Sequence, residues 1–337
     1  MISLTISDLY DRCITFFGNR KALTYNDKSY TFREMGENGN RLVNALQSLG
    51  LKKGDRIAFL MANCPEYIFC EYAVAKMAGI RVPLAVLLSA SDHIFMMNQS
   101  ECLALVYHER LAARVKEMMP HLTTVKHFIC IGENPSSVMQ GHLHLQTLLA
   151  KYPPVAKKVE VDPEELASIY YTGGTTGKPK GVMLSHRSWA YTYLIEMLEL
   201  GLGWNEVFAF PTPLTHAGGC LMIPILIRGG RCVILDHFDP KIFLEAVQKE
   251  KITSTFIVPT MIYVLLDYPD LKKYDFSSLR NIIYGASVIA PDRLKQALNV
   301  FGPIFTQLYG QTEAPMMFSV LSREEHIVAD PEREKMI

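Results

Sequence analysis

The run Tyr171-Thr172-Gly173-Gly174-Thr175-Thr176-Gly177-Lys178-Pro179-Lys180-Gly181 concentrates four glycines, three threonines and two lysines in eleven residues. Glycine admits positive φ and lets the backbone come close to a ligand. Amide N–H groups, hydroxyls and ammonium groups can then converge on one small volume, which suits a polyphosphate. Two common phosphate loops are excluded. The nucleotide-triphosphatase pattern needs glycine where Thr172 stands and Ser or Thr where Pro179 stands. No Gly-x-Gly-x-x-Gly fingerprint occurs. A plain surface loop is also rich in Gly and Thr, but the lysines and the strand-like segment before the run favour a phosphate.

A second chemical run is Tyr309-Gly310-Gln311-Thr312-Glu313. It follows an apolar segment, so it falls at a strand's carboxyl end, where open α/β sheets bind ligands. Tyr309 offers a flat face, Thr312 a hydroxyl, and Glu313 a hard oxygen for Mg²⁺. Taken alone, such a run also fits a turn with a solvated glutamate. Tyr284-Gly285-Ala286-Ser287 likewise follows a strand, and its small residues let a planar group approach the backbone. It is not a nucleophile elbow, because Ile289 replaces the second glycine. His216 lies among apolar and small residues in Pro213-Leu214-Thr215-His216-Ala217-Gly218-Gly219. A lone histidine there fits either a hydrogen-bonded core residue or a site residue.

The elements that must position these groups alternate. Apolar, β-branched or aromatic runs predict strands at 56–61, 81–86, 103–107, 127–131, 167–172, 207–211, 231–235, 254–258, 281–284 and 304–309. Helical patterns fall at 32–49, 65–77, 111–119, 187–199, 240–249, 260–266 and 291–300, with a further short helix at 91–98. The alternation predicts an α/β fold with mainly parallel, buried strands. Residues 132–141 read as a surface loop. Residues 151–165, with Pro153, Pro154 and Pro163 among charges, read as a linker between subdomains 1–165 and 166–337.

Composition narrows the function further. The 337 residues are 49% hydrophobic and 20% charged, with 34 basic and 34 acidic side chains. A formal net charge of zero removes the electrostatic case for a nucleic-acid binder or an anionic-membrane protein. Seven scattered cysteines without a Cys-x-x-Cys pair suit buried thiols in a reducing cytosol better than disulfides or zinc. The N-terminus lacks a secretory pattern, so a cytoplasmic location is expected. Residues 208–227 carry no Asp, Glu, Lys or Arg, yet Pro211, Pro213 and Pro224 interrupt them. They read as a buried strand, loop and helix, not a transmembrane span.

Together these motifs closely resemble the adenylate-forming superfamily of acyl-CoA synthetases, peptide-synthetase adenylation domains and luciferases. Fatty-acid and aryl-acid CoA ligases are the most similar members. The resemblance starts at Tyr30-Thr31-Phe32 and Gly54-Asp55-Arg56-Ile57-Ala58, and continues through Ser185-His186-Arg187 and Val258-Pro259-Thr260 to Glu313. It implies the large N-terminal portion of that fold: two mainly parallel sheet subdomains flanked by helices. The implied reaction has two steps. A carboxylate attacks the α-phosphate of ATP, giving acyl-adenylate and pyrophosphate; the thiol of CoA then displaces AMP. By resemblance, Thr172, Gly173, Gly174, Thr175, Thr176, Gly177, Lys178 and Lys180 hold the β- and γ-phosphates. Thr172 and Glu313 hold Mg²⁺. Tyr309 stacks on adenine, with Gly285, Ala286, Gln307 and Gly310 around it. Thr312 contacts the α-phosphate, and His216 lies at the carboxylate end of the acyl pocket. The implied partners are a carboxylic acid, ATP and CoA; a homo-oligomer is allowed.

Two departures stand out. Thr215 replaces the usual Phe or Tyr before the histidine. Family members also continue well beyond this length, so the chain is expected to be an N-terminal piece without the small C-terminal lid domain, largely inactive by itself. Two other readings share the motifs. One is a domain loading an amino or aryl acid onto a carrier protein, for which Asp236 and Asp239 are the nearest acidic candidates. The other is a nucleotide-binding homologue without catalysis.

Overall fold

A computed structural model of the chain describes residues 4–173 and 178–326. Among them, fifteen strands form two sheets. The eight-stranded sheet contains β1 (Lys21–Tyr25), β2 (Lys28–Thr31), β10 (Val207–Phe210), β11 (Arg231–Ile234), β12 (Ser254–Ile257), β13 (Asn281–Gly285), β14 (Phe305–Gln311) and β15 (Ala314–Leu321). Its order is β15-β14-β13-β12-β10-β11-β1-β2. The seven-stranded sheet contains β3 (Arg56–Leu60), β4 (Ile80–Pro83), β5 (Cys102–His108), β6 (His127–Ile131), β7 (Leu143–His144), β8 (Leu166–Thr172) and β9 (Lys180–Ser185), in the order β7-β6-β5-β3-β4-β8-β9. All pairings are parallel except the hairpins β1–β2, β8–β9 and β14–β15. The expected two-sheet α/β architecture is present.

Each sheet draws strands from both sides of residue 165. β1 and β2 join the later strands, whereas β8 and β9 complete the earlier sheet. Residue 165 therefore does not divide one sheet from the other. The burial pattern shows why. On β3, Ile57 and Phe59 enter the largest core cluster, while Ala58 and Leu60 face a second cluster. On β10, Phe208 and Phe210 enter that same largest cluster, and Ala209 faces a third. Both sheets thus present one face, at the strand period of two, to a shared interior. Helices Ile6–Phe17, Phe32–Ser48 and Glu66–Lys76 fill it.

The ends of these helices are chemically specified. Thr31 and Glu34 form a reciprocal capping box at Phe32–Ser48, and Ser89 with Asp92 does the same at Ala90–Gln99. Pro259 and Pro291 occupy first helical positions, where a missing N–H costs nothing. The charge-free stretch resolves as β10 and the short helices Ala217–Cys220 and Met222–Ile227. Among the described residues, no helix is long and apolar enough to cross a membrane.

Candidate active site

A cavity of about 240 Å³ opens where the two sheets meet. Tyr170 of β8 and Leu184 of β9 border it from one sheet. Phe256, Ala286, Leu308, Gly310, Gln311 and Thr312 border it from the other, at or just beyond the carboxyl ends of β12, β13 and β14. Trp189 of helix His186–Glu199, together with His216, Ala217 and Cys220, forms a further wall. Parallel strands leave their ends open on one side, which is where α/β sheets take ligands.

The two tyrosine motifs become neighbours through strand pairing. Tyr284 faces Gln307 and Gly285 faces Leu308 in the parallel β13–β14 register. A Cβ on Gly285 would lie 2.4 Å from the Leu308 carbonyl oxygen, so glycine alone allows this approach. Ala286 follows with φ 68°, a left-handed conformation that costs a non-glycine residue about 1 kcal/mol or more. Met316, across the cavity, has φ 65°. Both strained residues border the cavity, where the surrounding structure over-determines them. Gly310 is equally constrained: its Cβ would meet the Met316 carbonyl oxygen at 2.3 Å.

The remaining predicted residues are distributed as follows. Thr312 borders the cavity; Glu313 is exposed at the β14–β15 turn. Tyr309 is 63% exposed, its ring tilted beside Phe318 at 6.3 Å, and Gln307 is half-buried on β14. Neither Tyr309 nor Gln307 borders the cavity. Thr172 ends β8 opposite Lys180, two residues beyond Tyr170 and therefore on the same strand face. Gly173 is exposed with open space at its Cβ position. Lys178 and Lys180 are exposed, and the Lys178 ammonium lies 5.6 Å from the Phe95 ring centroid. Gly174, Thr175, Thr176 and Gly177 lie outside the described residues. The glycine-rich run thus joins two antiparallel strands, and the helix begins only after β9.

His216 borders the cavity just before helix Ala217–Cys220, and burial lowers its imidazole pKa, favouring the neutral ring. Its loop is pinned from the first half of the chain. Asn63 donates to the carbonyls of Thr212 (3.0 Å) and Leu235 (2.9 Å) and accepts from the Leu214 amide at 2.9 Å. Thr215 is buried outside the cavity lining. Asp236 is engaged by Arg110 at 3.2 Å and by the Tyr25 hydroxyl. Asp239 caps helix Pro240–Glu250 by accepting from the Ile242 amide. Both acidic candidates for an ammonium group are therefore committed to structural partners.

A metal has a limited protein donor set here. Among the described residues, no group of three His, Cys, Asp or Glu side chains could hold an ion. One carboxylate and one hydroxyl, Glu313 and Thr172, suit Mg²⁺ arriving with phosphates, since Mg²⁺ commonly combines one or two carboxylates with substrate oxygens.

Tyr170, Leu184, Trp189, Ala217, Cys220, Phe256, Pro315 and Met316 border the cavity without having been singled out in the sequence. Tyr170 was within reach, because it shares a strand face with Thr172. The others are ordinary apolar residues placed by tertiary packing.

Known proteins bear on this geometry. The family described as AMP-binding enzyme matches residues 11–335. The chain is 33% identical over 311 residues to the medium/long-chain-fatty-acid–CoA ligase FadD8 of Mycobacterium tuberculosis, covering 91% of this chain and 54% of that protein. It is 29% identical to a feruloyl-CoA synthase of an Amycolatopsis species, covering 90% and 58%. The anthranilate CoA ligase AuaEII, solved with anthranoyl-AMP, superposes with a TM-score of 0.89 at 23% identity, over 95% of this chain and 62% of that one. The last likeness shows the fold alone. The chain spans just over half the length of the curated relatives it matches.

Proposed function

Because the chain belongs to the AMP-binding enzyme family, we propose that its cavity brings ATP and a carboxylic acid together, as in AMP-forming acid–thiol ligases. The acid, proposed to be a fatty acid, attacks the α-phosphate; acyl-adenylate and pyrophosphate form, and the acyl group passes to CoA. The observation that carries this reading is the convergence of two hairpins, one from each sheet, with the His216 loop on one cavity. One hairpin borders the cavity through Tyr170 and Leu184 and carries the lysine- and glycine-rich run in sequence between its strands; the other borders it through Thr312, with Glu313 next in the chain. The 33% identity to a fatty-acid–CoA ligase supports the substrate class.

The chemistry needs no protein nucleophile. Charge develops on oxygens around an in-line phosphorus, so catalysis is positioning and electrostatic stabilisation. Lys178, Lys180 and the loop amides hold the β- and γ-phosphates; Thr312 orients the α-phosphate. Thr172 and Glu313 would hold Mg²⁺, which would supply positive charge to the phosphates. Tyr309 gives adenine a stacking face beside Gly285 and Ala286. His216, held neutral, can donate one hydrogen bond to the incoming carboxylate without fixing it as an ion pair. Phe256, Leu308 and Met316 exclude water from the reacting centre.

The test is pyrophosphate release by the full-length enzyme across a panel of carboxylates with ATP and Mg²⁺. Release that requires an acid and all other components is expected. ADP formation, or release indifferent to the acid, contradicts the reading.

A further inference from the structure

Charge stands behind the aromatic wall of the cavity. Arg81, on β4, is 2% exposed and pairs with Glu71, 1% exposed, from helix Glu66–Lys76. The Tyr10 hydroxyl donates to Glu71 Oε2 at 2.6 Å. The Arg81 guanidinium lies 4.7 Å from the Trp189 ring centroid and 5.5 Å from that of Tyr170. Trp189 is further fixed by its indole N–H, which donates to Ser168 Oγ at 2.7 Å, and by stacking on Tyr193 at 5.4 Å. Swinging Trp189 aside would orphan a buried donor and strip an aromatic face from a buried cation.

We infer that Trp189, braced by the Arg81–Glu71 pair, is the floor of the acyl pocket, and that the acid it admits is a short-chain or single-ring carboxylic acid. This rests on the reading of the cavity as an acyl-adenylate site and limits the size of the acid it takes, in place of the long chains of the fatty-acid class. The cavity volume of about 240 Å³ is shared with the strand ends carrying Gly310 and Thr312, so only part of it serves the acyl group. A longer alkyl chain has to pass the wall. Burying the first methylene beyond the wall gains less than disturbing a desolvated ion pair costs. Trp189 therefore acts as a specificity-determining residue, and Arg81 as a positioning residue behind it.

The test uses non-reactive acyl-sulfamoyl adenosines with acyl groups from acetyl to palmitoyl, plus benzoyl. They are titrated into the protein carrying Trp204→Phe, so that Trp189 is the only remaining tryptophan of the two and reports by fluorescence. Acetyl to hexanoyl and benzoyl analogues are expected to bind and perturb Trp189. The palmitoyl analogue is expected to bind at least about tenfold more weakly than hexanoyl. Trp189→Ala should remove that penalty; the length series on the unaltered floor stands without this variant. Palmitoyl binding as tightly as hexanoyl, with a similar fluorescence change, overturns the floor while leaving the adenylate site intact. Failure of every analogue, the deacylated sulfamoyl adenosine included, overturns the adenylate reading and this inference with it.

Discussion

The β8–β9 and β14–β15 hairpins occupy corresponding places in the two sheets: each is antiparallel, each includes an edge strand, and each carries one chemical run at its tip. Their tips are built differently. Gln311 pairs with Ala314 across only Thr312 and Glu313, and the backbone beneath is so close that Gly310 has no room for a Cβ. Thr172 pairs with Lys180 across a seven-residue loop, and Gly173 has open space around it. The tight tip is a fixed wall with two functional groups. The other tip is longer, and its residues 174–177 lie outside the described ones.

Breaking the brace behind the β8 side should have the largest effect. Arg81→Met leaves Glu71 buried without its cation, with an expected loss of about 3–5 kcal/mol in denaturant unfolding. Glu71→Leu combined with Arg81→Met should recover most of it. A single variant as stable as the parent would mean that the pair contributes nothing to holding Tyr170 and Trp189.

The tight tip is tested chemically. Glu313→Gln replaces a hard anionic ligand by a neutral amide, and pyrophosphate release should fall about 10²–10³-fold with the fold intact. Unchanged release would remove Glu313 from the metal site.

The long hairpin has a pH signature. His186, directly after β9, is fully buried with neither ring nitrogen hydrogen-bonded, and burial followed by the Arg81 charge pushes its pKa down to about 4. Its ordinary value is about 6.5. The unfolded chain therefore takes up the proton first as pH falls. This contribution to stability is complete above 6.5 and is lost progressively as pH falls to 4, at most about 3 kcal/mol. His186→Phe should flatten the stability slope in that window; an identical slope in the variant assigns the titration elsewhere.

The smallest expected effect sharpens the contrast most simply. Gly310→Ala forces Cβ onto the Met316 carbonyl and should cost about 1–3 kcal/mol. Gly173→Ala, with open space, should change stability little. Equal costs in thermal unfolding would mean that the two tips are not differently constrained.

Legibility in the sequence follows the same division. The interior parallel strands are readable because they are largely buried, so 128–131 and 256–258 appear as continuous apolar runs. The antiparallel strands β1, β2, β9 and β15 are not. Lys180–Ser185 is exposed or half-buried except at Leu184 and overlaps the phosphate run, and Ala314–Leu321 carries exposed Phe318 and Ser319. Helix Ile6–Phe17 was also missed, although Thr5 and Asp8 form its capping box. Thr312, Gly310, Ala286 and His216, which the sequence motifs single out, border the cavity. Trp189 and Arg81 are not singled out, because only the parallel register of β4 beside β8, Arg81 opposite Ser168, brings a charge behind an aromatic wall.

The measurement that tests the central claim most directly follows oxygen. A carboxylic acid labelled with ¹⁸O in its carboxylate is incubated with the protein, ATP and Mg²⁺, and the nucleotide product is weighed by mass spectrometry. Attack of the carboxylate on the α-phosphate predicts AMP carrying one ¹⁸O once the acyl group has been transferred or hydrolysed away from its carbonyl carbon. Label appearing in inorganic phosphate alongside ADP, or AMP formed without label, would contradict it.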